Sequence, residues 1–285
     1  MGLVKVSHFL IYNIMASKRD SLGDRMKLNY ENRSKTYLTR RTPVIIRLDG
    51  AHFHSFTRGF AKPFDKRLVE AMQETTLELC KNIQGCVFGY TQSDEITLVL
   101  VDYQSLDSEA WFDYGVQKIC STSAALATLY FNRIFARKIA EFHREHDKVV
   151  ADKETYGDVA IQVEKLMNAY ERALKTGATF DSRCFNIPIS ETVNCILWRQ
   201  RDCERNSISS LAQAYFSPKK LHGKKSNEMQ DMLMEEYGIN WNNLATCEKR
   251  GACVIKVDGS FVIDTEIPIF TGDGRKYIED LIIEH

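Results

Sequence analysis

The stretch that decides the fold, residues 43–65, reads PVIIRLDGAHFHSFTRGFAKPFD. Its first part, residues 44–48, is a short apolar run rich in β-branched side chains, which predicts a buried strand. The run stops at Asp49 and Gly50, where a carboxylate meets a flexible backbone. Most Asp-Gly pairs only make turns, but here aromatic and imidazole rings alternate directly afterwards, over residues 52–56. The strand is therefore expected to present a charge at the edge of a sheet.

Composition sets the class of protein. The chain has 285 residues, with 38 basic and 38 acidic side chains and 44% hydrophobic content, which is enough for one large domain or two smaller ones. A formal net charge of zero argues against a strongly basic nucleic-acid coat, so any RNA contact has to come from local clusters of Arg and Lys. Eight cysteines without a C-x-x-C pair are typical of reduced thiols in a cytoplasmic protein. No apolar stretch is long enough to cross a membrane.

The segments that follow the first strand predict a split βαβ layout. Residues 66–82 carry apolar side chains near helical spacing, and residues 85–90 read as a second strand. A polar turn over residues 91–94 leads into a third strand over residues 95–101. Strand, helix, strand, tight turn and strand in this order make the first half of a ferredoxin-like sheet. The charged segment before it, residues 17–38, predicts a surface helix.

That layout makes a geometric prediction. A right-handed crossover, with the third strand antiparallel between the first two, brings the end of strand one beside the turn that joins strands two and three. Asp49 and Asp94 then become neighbours. Two carboxylates so placed repel each other unless a divalent cation lies between them, so the pairing predicts Mg²⁺, with the carbonyl of Gly50 as a further ligand. Glu95 should point to the opposite face from Asp94, and it joins the catalytic set as a supporting carboxylate.

The rest of the chain divides into further helices and strands. We predict one or two long helices over residues 108–145, a mobile connection over 147–157, a helix over 158–176, a fourth strand over 184–189 and a β-hairpin on an Asp-Gly turn within 252–269. These elements indicate an N-terminal extension over residues 1–14, a domain over 15–189 and a C-terminal region over 190–285; a resemblance to a known family implies that the second is a palm-like catalytic domain and that the third contacts RNA.

Basic residues cluster in the C-terminal region, around Trp198. Such a set can hold a nucleic-acid backbone, although a solvated, charged helix face has the same composition. The candidate RNA-binding residues are Arg199, Arg201, Arg205, Lys219, Lys220, Lys224 and Lys225.

Seven motifs, taken in order, resemble those of the tRNA-His guanylyltransferase superfamily. They read IIRLDGAHFHSF, AKPFD, GYTQSDE, FDSR, WRQRDC, SNEM and YGINWN, and the similarity covers roughly residues 19–253. Members of this superfamily add nucleotides to RNA 5′ ends in the 3′-to-5′ direction. The resemblance implies an α+β fold with a polymerase- or cyclase-like palm and a mainly helical C-terminal region that includes a β-hairpin.

The resemblance also implies a site. Asp49 and Asp94 would hold two Mg²⁺ ions, with the Gly50 carbonyl on one of them. One ion would activate the attacking 3′-hydroxyl and the other would stabilise the leaving group. The RNA 5′-monophosphate would first be activated by ATP or GTP. The implied nucleotide-binding residues are Asp49, Gly50, Ala51, His52, Phe53, His54, Lys62, Ser93, Asp94, Lys118 and Arg183, of which Lys62, Lys118 and Arg183 match phosphate contacts.

Three departures from the family pattern bear on the substrate. Eukaryotic members carry His-Ile-Asn-Asn directly after Trp-Arg-Gln-x-Asp-Cys, whereas this chain has Glu-Arg-Asn-Ser at residues 204–207. Ser226 stands where the family has Lys before Asn-Glu, and Ser182 replaces the Gly of the FDGR motif. The first departure favours the bacterial and archaeal branch, which repairs 5′-truncated tRNAs by templated addition.

The expected function is template-directed 3′-to-5′ addition of nucleotides to truncated tRNA. The expected partners are tRNA, GTP, ATP and other NTPs, together with further copies of the chain in a dimer or tetramer; no membrane partner is expected. Three alternatives stay open: addition of a single G at position −1 of tRNA-His, a nucleotide cyclase on the same palm, and a non-catalytic RNA-binding protein.

Overall fold

A six-stranded sheet forms the centre of the molecule. The computed structural model describes residues 21–282, so the predicted N-terminal extension lies outside the described residues. Along the sheet the strands lie in the order β4-β1-β3-β2-β5-β6. Their bounds are β1 Val44–Ala51, β2 Cys86–Gln92, β3 Glu95–Leu100, β4 Thr179–Asn186, β5 Ala252–Val257 and β6 Ser260–Asp264.

The first four strands have the predicted split βαβ arrangement. β1 pairs antiparallel with β3 on one side and with β4 on the other, and β2 pairs antiparallel with β3. β1 and β2 are therefore parallel, with β3 between them, as the sequence predicted. The predicted α+β fold class is confirmed.

Helices cover both faces of the sheet. Helices α3 (Lys66–Asn82) and α4 (Val116–Ala151) share one hydrophobic cluster with the sheet. Helices α6 (Ile189–Tyr215) and α10 (Lys276–Ile282) share the other. Short 3₁₀ turns occupy Glu31–Ser34, Trp111–Tyr114, Trp241–Asn243 and Gly272–Arg275. The helices are α1 Leu22–Asn29, α2 Phe53–Phe56, α3 Lys66–Asn82, α4 Val116–Ala151, α5 Lys153–Thr176, α6 Ile189–Tyr215, α7 Pro218–Leu221, α8 Ser226–Tyr237, α9 Thr246–Arg250 and α10 Lys276–Ile282. No helix in this part of the chain is long and apolar enough to span a membrane.

Alternation along β1 assigns each of its side chains to a face. Ile46 and Leu48 belong to the cluster under α3 and α4, whereas Ile45 belongs to the cluster under α6 and α10. Because successive side chains of a strand point to opposite faces, Arg47 and Asp49 lie on the same face as Ile45. We call this the α6 face. The apolar start of β1 is thus buried on both faces, and its polar end is left for chemistry.

A buried carboxylate fixes the loop that carries Lys62. Asp65 is 4% exposed. Its Oδ1 accepts a hydrogen bond from the Leu68 amide at 3.1 Å, which caps α3. Its Oδ2 accepts from the Ala61 amide at 3.0 Å and from the Tyr170 hydroxyl at 2.8 Å. The loop between α2 and α3 is therefore tied to the start of α3 and to α5.

Two predicted segments differ from the structure. The fourth strand begins at Thr179 rather than at residue 184, because β4 is an edge strand whose polar residues alternate with inward-facing ones. The predicted connection over residues 147–157 is mostly helical, since α4 continues to residue 151 and α5 begins at residue 153, but Gly157 has a non-helical backbone (φ 48°, ψ −124°) directly before the predicted helix start at residue 158. Asp152 caps α5 by accepting a hydrogen bond from the Thr155 amide at 3.0 Å. A charged, solvated helical hairpin has the composition of a loop, which explains the error.

The C-terminal hairpin returns to the sheet. β5 pairs antiparallel with β2, with Cys253 opposite Tyr90. Residues 252–264 thus extend the same sheet that carries β1, although the predicted division placed them in the C-terminal region. The helices between α6 and α9 have a small hydrophobic cluster of their own, which includes Leu211, Leu233 and Trp241. The division at residue 189 itself stays a prediction.

Candidate active site

Asp49 and Asp94 are neighbours in the fold, as the sequence predicts. The amide of Gly50 donates a hydrogen bond to the backbone carbonyl of Asp94 at 3.1 Å, so the end of β1 touches the turn between β2 and β3. Burial raises the pKa of Asp94 above its ordinary value, and the nearby negative charge of Asp49 adds to the rise. A hydrogen bond from the Ser93 hydroxyl to Asp94, at 3.0 Å, acts in the opposite direction. The pair is a concentration of negative charge at one edge of the sheet.

The carboxylates of Asp49 and Asp94 and the carbonyl of Gly50 fit a cation that arrives bound to a nucleotide. Within residues 21–282, neither Asp49 nor Asp94 has an ion-pair partner among the basic side chains. The same residues contain no group of three or more His, Cys, Asp or Glu arranged around a metal. Mg²⁺ is commonly held by one or two carboxylates, with water and substrate phosphates completing its shell. Two carboxylates and the Gly50 carbonyl match that mode of binding and do not form a closed metal cage.

Glu95 and Arg199 form a buried ion pair beside Asp49. Glu95 lies directly opposite Asp49 in the β1–β3 register. The guanidinium of Arg199, on α6, donates two hydrogen bonds to the Glu95 carboxylate at 2.5 and 2.6 Å, and a third to Asp202 at 2.8 Å. Burial raises the pKa of Glu95, whereas Arg199 lowers it. Arg199 is 7% exposed, so it does not lie on the surface with the other predicted RNA-binding residues.

The loop after β1 is held by an aromatic cluster. A Cβ on Gly50 would lie 2.2 Å from the ring of Phe53, so only glycine fits there. His52 has a left-handed backbone, with φ of 58°. The ring of Phe53 is buried against Phe131 and Phe180, with centroids 5.5 and 5.2 Å away. The Phe53 side chain therefore anchors the loop, and only its backbone is open to a ligand, while His52 and His54 are exposed.

Three more predicted nucleotide contacts, Ser93, Lys62 and Arg183, are exposed. Ser93 occupies the turn with a positive φ of 49° and is exposed. Lys62 is exposed and precedes Pro63, which lines a cleft of about 150 Å³ together with Ser93. Arg183 lies on β4, opposite Arg47, and its guanidinium contacts Asp181 at 3.0 Å. Ser93 adjoins Asp94 in the turn, Arg183 lies on the strand next to β1, and Lys62 lies in the α2–α3 loop; their contact with a nucleotide stays a prediction.

Lys118 lies elsewhere in the protein. It stands near the start of α4, where Sγ of Cys120 lies 3.6 Å from Sγ of Cys184. Further along α4, the hydroxyl of Thr128 accepts a hydrogen bond from the Phe180 amide at 3.2 Å, level with the loop after β1. Ten residues of helix, about 15 Å, separate Lys118 from that level. It lines a second cavity of about 330 Å³, with its Nζ 5.6 Å from the Phe112 ring centroid. Its predicted phosphate contact stays a prediction.

The predicted RNA-binding surface is partly neutralised. Arg205 pairs with Asp202, Lys220 with Glu236 at 2.5 Å and Lys224 with Glu228 at 3.1 Å. All six residues other than Arg199 are exposed: Arg201, Arg205, Lys219, Lys220, Lys224 and Lys225. Because Lys220 and Glu236 lie on different helices, no local sequence pattern predicts their pairing. The RNA-binding role of this surface stays a prediction.

Sequence reasoning missed Arg47 as a site residue. It lies on the α6 face, two residues before Asp49, and its guanidinium is 5.3 Å from the ring centroid of Trp198. The signal was present, because strand alternation from Ile45 already puts Arg47 and Asp49 on one face.

An α+β sheet of this order, with Asp49 and Asp94 brought together where its first strand ends, matches a palm-like fold. A sequence model described as tRNAHis guanylyltransferase (Thg1) matches residues 23–188, which is more than half of the chain. The chain belongs to the tRNA(His) guanylyltransferase family. The predicted enzyme class, nucleotidyltransferase, is confirmed at the level of this family.

Solved structures and curated relatives agree with this assignment. A bacterial tRNA(His) guanylyltransferase (Thg1)-like protein in complex with ATP is 40% identical, with a TM-score of 0.75 over 93% of this chain and 100% of that chain. A structure with the same description, in complex with GTP, is 36% identical, with a TM-score of 0.70 over 92% and 99% of the two chains. A probable tRNA(His) guanylyltransferase from Dictyostelium discoideum is 28% identical over 226 residues, 75% of each chain.

Proposed function

We propose that this protein is a Mg²⁺-dependent nucleotidyltransferase that adds nucleotides in the 3′-to-5′ direction to the 5′ end of truncated tRNA, using the opposite strand as template. The observation that carries the proposal is the meeting of Asp49 and Asp94 at the end of β1. It is supported by family membership and by the ATP and GTP complexes of the bacterial Thg1-like structures.

Two Mg²⁺ ions would be held by Asp49, Asp94 and the Gly50 carbonyl. Bound there, they supply activation of the attacking 3′-hydroxyl and neutralisation of charge on the phosphoryl oxygens. The carboxylates attract the cations because no basic side chain of the described protein neutralises them. Burial disfavours the charged form of Asp94 and so raises its pKa, and a bound cation would offset that penalty.

The other residues position the reactants. Lys62, on the α2–α3 loop, and Arg183, on the strand beside β1, are exposed cations, and each can bind a phosphate oxygen. The backbone of residues 50–54, fixed by the buried Phe53 ring, borders the same space. Arg199 holds Glu95 beside Asp49 and so keeps a second carboxylate in a fixed orientation. ATP or GTP would activate the RNA 5′ end in the same site.

The substrate proposal depends on residues 204–207. Asn206 and Ser207 line the cleft of about 150 Å³ that also contains Ser93, so the departure from the eukaryotic motif lies next to the active-site turn. The carboxylate of Glu204 contacts Arg250 at 3.4 Å. A change of chemistry at this place is expected to alter which RNA end is accepted, which supports repair over single-G addition.

We further propose that the protein works in the cytoplasm as a homo-oligomer, a dimer or a tetramer. The eight cysteines are free thiols, as expected in a reducing compartment. Symmetric assembly is the usual state of soluble oligomers. Size-exclusion chromatography with light scattering would measure the number of copies.

Extension of a truncated tRNA tests the proposed function. A tRNA that lacks its first nucleotide is incubated with the protein, Mg²⁺ and all four NTPs. We expect it to gain the nucleotide complementary to the opposite base, and we expect a change of that base to change the nucleotide added. The intact tRNA is the matched control.

Each other outcome points to a different function. Addition of one G to tRNA-His, whatever the opposite base, would indicate the single-G alternative. A cyclic nucleotide formed without RNA would indicate a cyclase. Binding of tRNA without any gain in length would contradict the proposal.

A further inference from the structure

Trp198 is held at the protein surface although its neighbours are buried. The side chain is 50% exposed, whereas the other two tryptophans, Trp111 and Trp241, are 7% and 8% exposed. The next two residues of α6, Arg199 and Gln200, are also buried. A large indole side chain normally stabilises a fold most when it is buried. Trp198 lies in line with the exposed Asn194 and Arg201 along α6, so its ring faces solvent and is available for a ligand.

Two guanidinium groups fix the ring. The Arg199 guanidinium lies 4.5 Å from the Trp198 ring centroid, and that of Arg47 lies 5.3 Å away. Arg199 is itself held by the bidentate contact with Glu95 at 2.5 and 2.6 Å. The ring is thus supported by a buried ion pair, and it loses little conformational freedom when a ligand stacks on it.

The Trp198 ring packs on Arg47, which precedes Asp49 on the same face of β1. Arg47 and Asp49 are two residues apart on the α6 face, a separation of about 7 Å. Within the described residues, the Arg47 side chain forms no ion pair or hydrogen bond, and its guanidinium packs over the ring of Trp198. Arg183 lies opposite Arg47 on β4, with 49% of its side chain exposed. An aromatic surface and two cations therefore border Asp49 on the side away from the nucleotide loop.

We propose that Trp198 is the platform on which the 5′-terminal base of the RNA stacks, with Arg47 and Arg183 directing its phosphate toward Asp49. This inference rests on the proposed function. The incoming nucleotide is assigned to the loop of residues 50–54 instead, because that loop packs through Phe53 into the cluster under α3 and α4, whereas Trp198 contacts Arg47 on the α6 face. Stacking on an aromatic ring accepts every base, because each has a π-face. That tolerance suits an enzyme whose RNA end changes with each nucleotide added.

A fluorescent base at the RNA end tests the platform. A truncated tRNA carries 2-aminopurine as its 5′-terminal base, and its fluorescence is followed on binding to the wild type, Trp198→Phe, Trp198→Leu and Trp198→Ala. We expect quenching by the wild type and by Trp198→Phe. We expect no quenching by Trp198→Leu or Trp198→Ala, with tRNA binding weakened about tenfold to a hundredfold. Binding of GTP without RNA should be unchanged.

Controls separate the possible failures. Tyr156→Ala removes an exposed aromatic ring of α5, 43% exposed, and should leave the quenching intact. Trp198→Leu keeps apolar volume, so it remains informative if Trp198→Ala fails to fold in circular dichroism. Equal quenching by Trp198→Leu and the wild type would overturn the platform. Another outcome is that the wild type quenches the fluorescence yet extends no tRNA, while the Trp198 variants do not quench it. In that case the proposed reaction is wrong and the platform stands.

Discussion

Asp49→Asn is expected to lower the rate of nucleotide addition about a thousandfold. A metal that stabilises charge in the transition state contributes several kcal/mol. Each ~1.4 kcal/mol changes the rate tenfold, so the loss of one carboxylate ligand accounts for about three decades. The substitution keeps the size of the side chain and removes a charge from a crowded acidic edge, so the fold should survive. Single-turnover extension of a truncated tRNA measures the rate.

The matched control is Asp158→Asn. Asp158 is exposed on α5, away from the sheet edge. Its substitution by Asn removes the same charge from the chain. Its rate should stay close to that of the wild type. Should Asp49→Asn retain more than about a tenth of the wild-type rate, Asp49 would not be a metal ligand in the reaction.

Arg199→Met is expected to destabilise the protein by about 3–5 kcal/mol, because it leaves the buried Glu95 carboxylate without its partner. Burial already raises the pKa of Glu95, and removal of the Arg199 charge should raise it further. A carboxyl whose pKa is raised in the folded state favours folding at low pH and loses that contribution as the pH rises. The loss of stability should therefore be smallest near the ordinary pKa of 4.5 and grow above it. Chemical denaturation between pH 4.5 and pH 8 measures this.

Arg205→Met is the matched control for the buried pair. Arg205 lies on the same helix and contacts the same Asp202, but 66% of its side chain is exposed. Its removal should cost less than about 1 kcal/mol at any pH. The double variant Glu95→Gln with Arg199→Met should recover part of the lost stability, since no charge is then left buried. Equal losses from Arg199→Met and Arg205→Met would contradict the assignment of Arg199 as the residue that holds Glu95.

Local patterns predicted the catalytic edge of the sheet well. The apolar run before Asp49 and the tight turn at Asp94 each have a clear signature, and the handedness of the crossover brings the two together. Helix α3 covers the predicted residues 66–82 because its apolar spacing is regular. These features depend on interactions between residues close in sequence, together with one topological rule.

Contacts between distant residues could not be predicted in the same way. Arg199 resembled a surface cation in the sequence, yet it reaches Glu95, 104 residues away, and becomes buried. Lys220 likewise finds Glu236 on another helix. Lys118 was grouped with the nucleotide contacts through family resemblance, and only the packing of α4 on β4 shows how far it lies from the loop after β1. Side-chain partners across the fold depend on tertiary packing, which no local pattern encodes.

The central claim is that Asp49 and Asp94 share divalent cations at the end of β1. Anomalous scattering from crystals grown with Mn²⁺ and a non-hydrolysable GTP analogue measures this directly. We expect two manganese peaks, each about 2.0–2.5 Å from a carboxylate oxygen of Asp49 or Asp94. Nucleotide bound with no peak beside either carboxylate, or with manganese coordinated elsewhere on the protein, would contradict the claim.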